Sequence, residues 1–274
     1  MVLLYIPPVQ NLLRREVTAY ASKATGMQIQ VERIDLRFPL NLLVRGVEVI
    51  QQPDTLLSLE SLNVRVQAWP LLKGKVEVDD VTLSQVAVNS ADLIEGMQIK
   101  GVLGRFFLQS HGVDLSNETA VVNRAELSDT HIQLLMNDTT TTPKDTTASA
   151  PVNWKVDLHQ LKLKNISFDM QLPADSLKMA AYIGEATVDD AKADLKNQFY
   201  GLRQFLLSGA SASYDTGEAG PAEGFDASHM AVRNIRIGLD SLLYEGRNMN
   251  AVIREITMEE RSGLSITSDR KSTR

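Results

Sequence analysis

The chain of 274 residues contains no cysteine. That excludes a disulfide framework and the sulfur-rich kind of structural zinc site, and it suits a cell-envelope protein in which stray disulfides are a hazard. Aromatic residues are also scarce, 5% against 43% hydrophobic residues overall. The apolar content is therefore mostly Val, Leu, Ile and Ala, which favours long strands with aliphatic faces over an aromatic-rich pocket. Positive charge is not in excess: 28 Lys and Arg against 34 Asp and Glu leave a net charge of -6. Nucleic acid, which needs clustered positive charge, is thereby disfavoured as a partner. No apolar run approaches the ~18 residues of a membrane span. Val2 to Ile6 is only the length of the tail end of one. The expectation is a membrane anchor just upstream, with Met1 an engineered start.

Catalytic signatures are missing too. His111, His131, His159 and His229 stand far apart, and none has metal-ligand spacing to another. His131 and His159 are expected at outward strand positions. The acid pairs Asp79-Asp80, Asp189-Asp190 and Glu259-Glu260 sit where neighbours on a strand point to opposite faces, so each pair is expected to diverge. Gly101-Val102-Leu103-Gly104 is too short to cradle a phosphate, and neither a dinucleotide nor a nucleophile-elbow motif occurs. The chain is read as no enzyme, with no metal and no cofactor.

What is present is a helix followed by strand after strand. Pro7 or Pro8 suits a first helical turn, and Leu12, Leu13, Val17, Tyr20, Ala21 and Ala24 recur at helical spacing up to a Gly26 C-cap. This predicts an amphipathic helix from about Val9 to Thr25, either capping the end of a sheet or touching a membrane. From Met27 the period drops to two, as in Gln28-Ile29-Gln30-Val31-Glu32 and Leu62-Asn63-Val64-Arg65-Val66. Two phrases nearly repeat, Leu36-Arg37-Phe38-Pro39-Leu40 and Gln67-Ala68-Trp69-Pro70-Leu71, each followed by a Gly-bearing turn into a new strand.

A six-residue pattern then recurs: apolar, any, Gly/Asp/Asn, apolar or β-branched, any, apolar. It occurs from Val44 to Val49, Val78 to Leu83, Leu127 to Ile132, Leu163 to Phe168 and Val232 to Ile237, with a weaker copy from Val188 to Ala193. Two apolar positions three apart cannot share a strand face unless the strand slips phase between them. A bulge at the Gly, Asp or Asn would do this, since those residues tolerate left-handed or bulged backbone, and each copy is read as a long strand with a kink in its middle. Repeated kinks in register would fold a long sheet into a trough with an aliphatic lining. The other reading is strand–turn–strand, with the Asp or Asn in a tight turn.

Segments 138–151, rich in Thr, Ala, Ser and Pro, and 215–228 read as surface loops, the first mobile, and 268–274 as a frayed or vector-derived tail. The chain divides into 1–26, a membrane-proximal segment and capping helix; 27–137, a first β-groove section; the loop 138–151; 152–267, a second groove section; and the tail. The fold class is mainly β, an elongated, curled antiparallel sheet forming an apolar groove. At about twelve residues per strand and turn it would hold roughly twenty strands of ~10 residues, making a trough on the order of 80–100 Å long at ~4.8 Å per strand.

The stretch from Leu3 to Asn89 resembles the amino-terminal part of the TamB family within the AsmA-like group. The likeness rests on Ile6-Pro7-Pro8-Val9-Gln10, the helix to Gly26, Val31 to Leu40, Gly46 to Val49 and Trp69 to Val76. The resemblance implies a bacterial periplasmic protein, anchored to the inner membrane, of the repeating β-groove type and similar in plan to bridge-like lipid transfer proteins. Its expected function is a conduit carrying phospholipid acyl chains between inner and outer membranes. The alternative is an envelope scaffold assisting assembly of an outer-membrane barrel protein or autotransporter. Expected lipid-lining residues are Val64, Val66, Val78, Val81, Leu83, Leu163, Ile166, Phe168, Val232, Ile235 and Ile237.

Overall fold

The computed structural model describes residues 7–38, 40–51, 53–67, 78–114, 117–137, 153–221, 226–261 and 265–269. Helix α1 (Pro7–Thr25) opens with the proline pair and carries Lys23 in its last turn, where a cation complements the helix dipole. It stops at Gly26, whose φ of +70° and N–H bond to the Ser22 carbonyl (3.0 Å) make a left-handed C-cap. None of the described helices is long and apolar enough to cross a membrane. The expected anchor remnant, Val2 to Ile6, lies outside the described residues.

Thirteen strands follow: β1 (Gln28–Arg37), β2 (Asn41–Gln51), β3 (Asp54–Val66), β4 (Val78–Asn89), β5 (Met97–Asp114), β6 (Thr119–Met136), β7 (Lys155–Leu172), β8 (Leu177–Asp194), β9 (Phe199–Leu202), β10 (Gln204–Asp215), β11 (His229–Glu245), β12 (Asn248–Glu260) and β13 (Ser265–Asp269). All belong to one sheet whose spatial order is the chain order, with the short β9 set between β8 and β11 beside the start of β10. Consecutive strands joined by short turns can pair at once, so the sheet grows one hairpin at a time. The sheet is mainly antiparallel and curled, as expected. It holds fewer and longer strands than the roughly twenty of ~10 residues expected from spacing alone, because several run 18 residues straight through their kinks. Eleven inter-strand steps of ~4.8 Å make the body about 53 Å long.

One pair departs from the antiparallel expectation: β6 and β7 run parallel, from Thr119 opposite Lys155 to Leu135 opposite Gln171. The alternation of apolar and polar residues is the same in either direction, so the pattern carries no sign of it. A parallel pair needs a return along the strand. That connection falls in 138–152, and the expected loop 138–151 lies outside the described residues. The second aromatic-Pro-Leu corner is outside them as well; in the first, Phe38 is 85% exposed at the β1–β2 turn. The expected tail begins too early, because Ser268 and Asp269 belong to β13 and pair with Ile256 and Glu255.

The kinks are inside the strands. Gly46, Asp129, Asn165, Asp190 and Asn234 all have φ between +49° and +57°, and the strand continues on both sides of each. Strand–turn–strand is therefore excluded at these copies, and at Gly46, Asp129 and Asn165 the expected bulge is replaced by a left-handed residue with one residue opposite it and none left over. The copy at Val78 to Leu83 works differently. Arg65 opposes Asp80 and Val66 opposes Val78, which leaves Asp79 over as a bulge, and the left-handed residue of β4 is Gln85 (φ +49°).

These residues line up. Gly46 stands opposite Glu32 on one side and Glu60 on the other, in the gaps of the β1–β2 and β2–β3 ladders. The same gap runs on through Gln85, Gly104, Asp129, Asn165 and Gly184. Gly209 (φ +61°) takes it up in β10, where its carbonyl oxygen lies 2.9 Å from the point a Gly184 Cβ would occupy. The line is a crease across the sheet. A second crease crosses near the other rim, where His159 faces Asp190 between Leu158↔Ala191 and Gln160↔Asp189.

Candidate functional site

The crease decides which residues share a face. On one side of it, directly opposed residues form the row Leu36, Leu42, Val64, Val81, Leu108 and Ala125, continued by Leu161, Val188, Phe205, Leu239 and Ile253. The row beside it is Ile34, Val44, Leu62, Leu83, Phe106 and Leu127, continued by Leu163, Ala186, Leu207, Ile237 and Ile256. Across the crease β1 to β8 and β10 each slip by three residues, and the same face carries Val31, Val47, Leu59, Val86, Leu103, Thr130, Ile166 and Ile183, with Ala210 opposite Ile235 beyond. β11 makes its slip of three one step later, from Ile235 to Val232. A fourth row runs Ile29, Val49, Leu57, Val88, Gly101 and Ile132, then Phe168, Ala181, Ala212 and Val232. Thr130 is the one hydroxyl in these rows, and it is buried with its Oγ1 on the Ser128 carbonyl (3.3 Å).

The opposite face reads Arg33, Arg45, Ser61, Ser84, Arg105, Ser128, Lys164, Glu185 and Ser208 at the level just beside the crease. One face is a continuous aliphatic lining and the other is largely polar. The lining is only partly covered. Among the described residues no large side chain is fully buried, and the buried hydrophobic residues are Ile34, Leu56, Val122, Ala125, Ala186 and Ala210. Most of the row residues are half-buried. This is the geometry of an open trough.

All eleven lining residues expected from the sequence fall on this face: Val64 and Val81 in the first row, Leu83, Leu163 and Ile237 in the second, Ile166 and Ile235 in the third, Phe168 and Val232 in the fourth, and Val66 opposite Val78 near the rim. The sequence reading missed most of the face, including Leu59, Leu103, Leu127, Ile183 and Leu207. Its signal was in reach. Apolar pairs three apart, such as Leu59/Leu62, Leu103/Phe106, Ile183/Ala186 and Leu207/Ala210, mark the slip in β3, β5, β8 and β10, although no Gly, Asp or Asn stands at the expected place inside some of them.

Polar chemistry is concentrated on the creases and the outer face. Asp190 accepts a bond from Arg203 Nε (2.7 Å) and lies 3.2 Å from His159 Nδ1, while Arg203 Nη2 lies 3.7 Å from Asp189. The guanidinium of Arg203, then the imidazole of His159, hold the Asp190 carboxyl below its ordinary value, and Asp190 in turn raises Arg203. The pair Asp189-Asp190 was expected to diverge and instead converges on one cation. The left-handed φ at Asp190 breaks the alternation that would have separated them. Farther along, Arg254 Nε donates to Asp240 (2.8 Å) and continues the ionic line. On the first crease Asn165 Nδ2 donates to Asp129 (2.8 Å).

One cluster has the residue types of a nucleophilic triad. His131 Nδ1 is 2.6 Å from Ser167 Oγ, and its Nε2 is 3.6 Å from Asp169 Oδ2, beside a shallow hollow of about 430 Å³. The carboxylate distance exceeds a hydrogen bond. The backbone around Ser167 is engaged with β6 on one side and β8 on the other, so no spare pair of amides is aimed at an oxyanion. The cluster is a cross-strand polar contact. Among the described residues no group of three His, Asp or Glu side chains could hold a metal. The trough is the feature of this molecule with functional reach, and no protein-family model and no curated protein matches the chain.

Proposed function

We propose that the trough receives lipid acyl chains and that the protein is a lipid-transfer conduit of the bacterial envelope. In this reading it stands in the periplasm, anchored to the inner membrane, and passes phospholipid toward the outer membrane. The observation that supports it is the four apolar rows, which run from β1 to β11 without a charged side chain and meet their first one at Glu260 of β12, opposite Val232. An aliphatic wall offers no hydrogen bond that would fix a chain at one place, so an acyl chain can slide along it. A lining with on the order of 1,000 Å² left against water costs ~25 kcal/mol at ~25 cal/mol per Å². An apolar ligand or partner that covers the lining recovers part of that free energy, which is the driving force this reading gives for acyl-chain binding.

The test is native mass spectrometry of the protein purified without detergent, with lipid extraction and identification alongside. Several phospholipids per chain are expected. A clean unliganded mass, reproduced under mild conditions, would refute the conduit. The second reading is a scaffold that takes nascent barrel strands by addition at a sheet edge. The observation favouring it is the outer edge of β12, and it predicts bound extended peptide and little lipid.

A further inference from the structure

The two ends of the sheet are finished differently. At the first, α1 lies along the first half of β1 and covers its outer edge from Ile29 to Glu32. Ser22 Oγ accepts the Ile29 N–H (3.0 Å), and Arg14 Nη1 donates to the carbonyls of Glu32 (2.7 Å) and Val31 (3.4 Å). An edge satisfied by helix side chains offers no free ladder to another strand. At the other end, β13 pairs with Glu255 to Glu259 of β12, and among the described residues none pairs with the outer edge of Asn248 to Arg254. These residues are all exposed, Met249 at 69% and Ile253 at 45%. The segment reads Asn-Met-Asn-Ala-Val-Ile-Arg. It has one charge and no proline; the bulged residue is Arg254, at its end, and Asn248 to Ile253 run on without another, so little blunts this edge. Met249, Ala251 and Ile253 stand opposite Tyr244, Leu242 and Leu239, so the apolar lining runs out to the last strand.

We propose that this edge pairs with the same edge of a second copy, antiparallel about a two-fold axis through Ala251, and joins two troughs end to end. In that register Ala251 faces Ala251 of the second copy and Met249 faces Ile253, apolar against apolar on the trough side. On the outer side Asn250 faces Val252 and Asn248 faces Arg254, so no like charges meet. A slip of one residue would set trough-facing positions against outward ones. The pairing stops where β13 begins. There Asp269 holds the place opposite Glu255, and Arg247 of the second copy, in the β11–β12 turn, arrives beside that acid. Because α1 closes the β1 edge, the head-to-tail contact that would build a filament is blocked, and the self-complementary contact closes at two copies. Twenty-two strands in a row, β1 to β8 and β10 to β12 of each copy, give a trough of about 100 Å at ~4.8 Å per step. The proposal holds whatever the trough carries.

The chain has no cysteine of its own, so single cysteines read the register directly. Directly opposed residues of an antiparallel pair have Cα atoms ~4.5–5.5 Å apart, inside the disulfide range. Ala251→Cys is expected to form a disulfide dimer on mild oxidation at least tenfold faster than Tyr20→Cys on α1. Met249→Cys mixed with Ile253→Cys is expected to cross-link at least tenfold better than either alone. Sedimentation of the full chain should show a monomer–dimer equilibrium. Ala251→Lys, which opposes two like charges and sits exposed in the monomer, should weaken it tenfold or more, with melting unchanged at concentrations where the parent is monomeric too. A parent protein that stays monomeric at every concentration would overturn the proposal. So would Ala251→Cys cross-linking no faster than Tyr20→Cys. Capture of an added extended peptide at Ala251→Cys without self-association would assign the edge to a foreign strand and overturn it as well.

Discussion

Gly104→Ala probes the crease where it is tightest. Gly104 has no left-handed φ, so the added methyl brings no backbone strain of its own. It would meet Asp129, with Cβ at 2.7 Å and the carbonyl oxygen at 2.9 Å, and the Ser128 carbonyl oxygen at 3.2 Å. Two of these three atoms are backbone of β6, tied on its other side to β7, and neither can swing away as a side-chain tip would. β5 and β6 must therefore part at the crease, an overpacking cost of about 2 kcal/mol. For a chain of this size that lowers the melting temperature by about 4–8 °C. Gly209→Ala is the control. Its φ of +61° is strained for alanine, but the nearest atom stands 3.9 Å away, so only ~1 kcal/mol of left-handed strain is lost. Adding Asp129→Gly to Gly104→Ala removes the Cβ contact and should restore part of the loss, while the carbonyl contact remains. Circular dichroism melts order the variants, and hydrogen exchange at Leu103 to Phe106 localises the effect. If Gly104→Ala melts with the parent protein, or loses less than Gly209→Ala, the strands do not approach as described and the crease account fails.

Ile166→Asp places a carboxylate in the third apolar row at a half-buried position that water can reach; it should cut the phospholipid retained in native mass spectrometry several-fold while the melting temperature changes little. Retention at the parent level would remove Ile166 from the lipid path. Asp190 sits below its ordinary value of 3.8 because of Arg203 and His159. Its stabilising contribution is thus complete above that pH and is lost as pH falls through the folded-state value. Melting scans at successively lower pH should show Asp190→Asn converging with the parent in acid and falling below it toward neutrality; parallel curves throughout would contradict the ion pair. Ser22→Ala combined with Arg14→Ala uncovers the β1 edge at a cost of ~1 kcal/mol per hydrogen bond. Light scattering on heating should then reveal higher oligomers that the parent does not form, and an unchanged profile would show that α1 is not the edge guard.

The kink was legible at Gly46, Asp129, Asn165 and Asn234 because two independent signals coincided there: apolar residues three apart, and a residue type that tolerates positive φ between them. Where one signal was absent the reading failed locally. Gln85 turns left-handed without being Gly, Asp or Asn, held by a crease already set by its neighbours. Glu32 and Glu60 need no special backbone, since the left-handed residue opposite them supplies the change of phase. Gly184 is required because the Gly209 carbonyl crowds it from the next strand, a contact separated by 25 positions in sequence.

The sequence by itself determined that this chain would be strands, that each strand would carry one aliphatic face, and that the phase of that face would slip at regular intervals. Those are local properties, set by side-chain alternation and by the few residues that accept a left-handed backbone. Only the tertiary structure decided that the slips align into creases across neighbouring strands, that β6 and β7 run parallel, and that Asp189 and Asp190 meet on Arg203. It also decided that Ser22 and Arg14 cover the β1 edge from Ile29 to Glu32, while none of the described residues pairs with the outer edge of β12 from Asn248 to Arg254. Register, direction and edges are relations between strands, and alternation along one strand is the same whichever neighbour it meets.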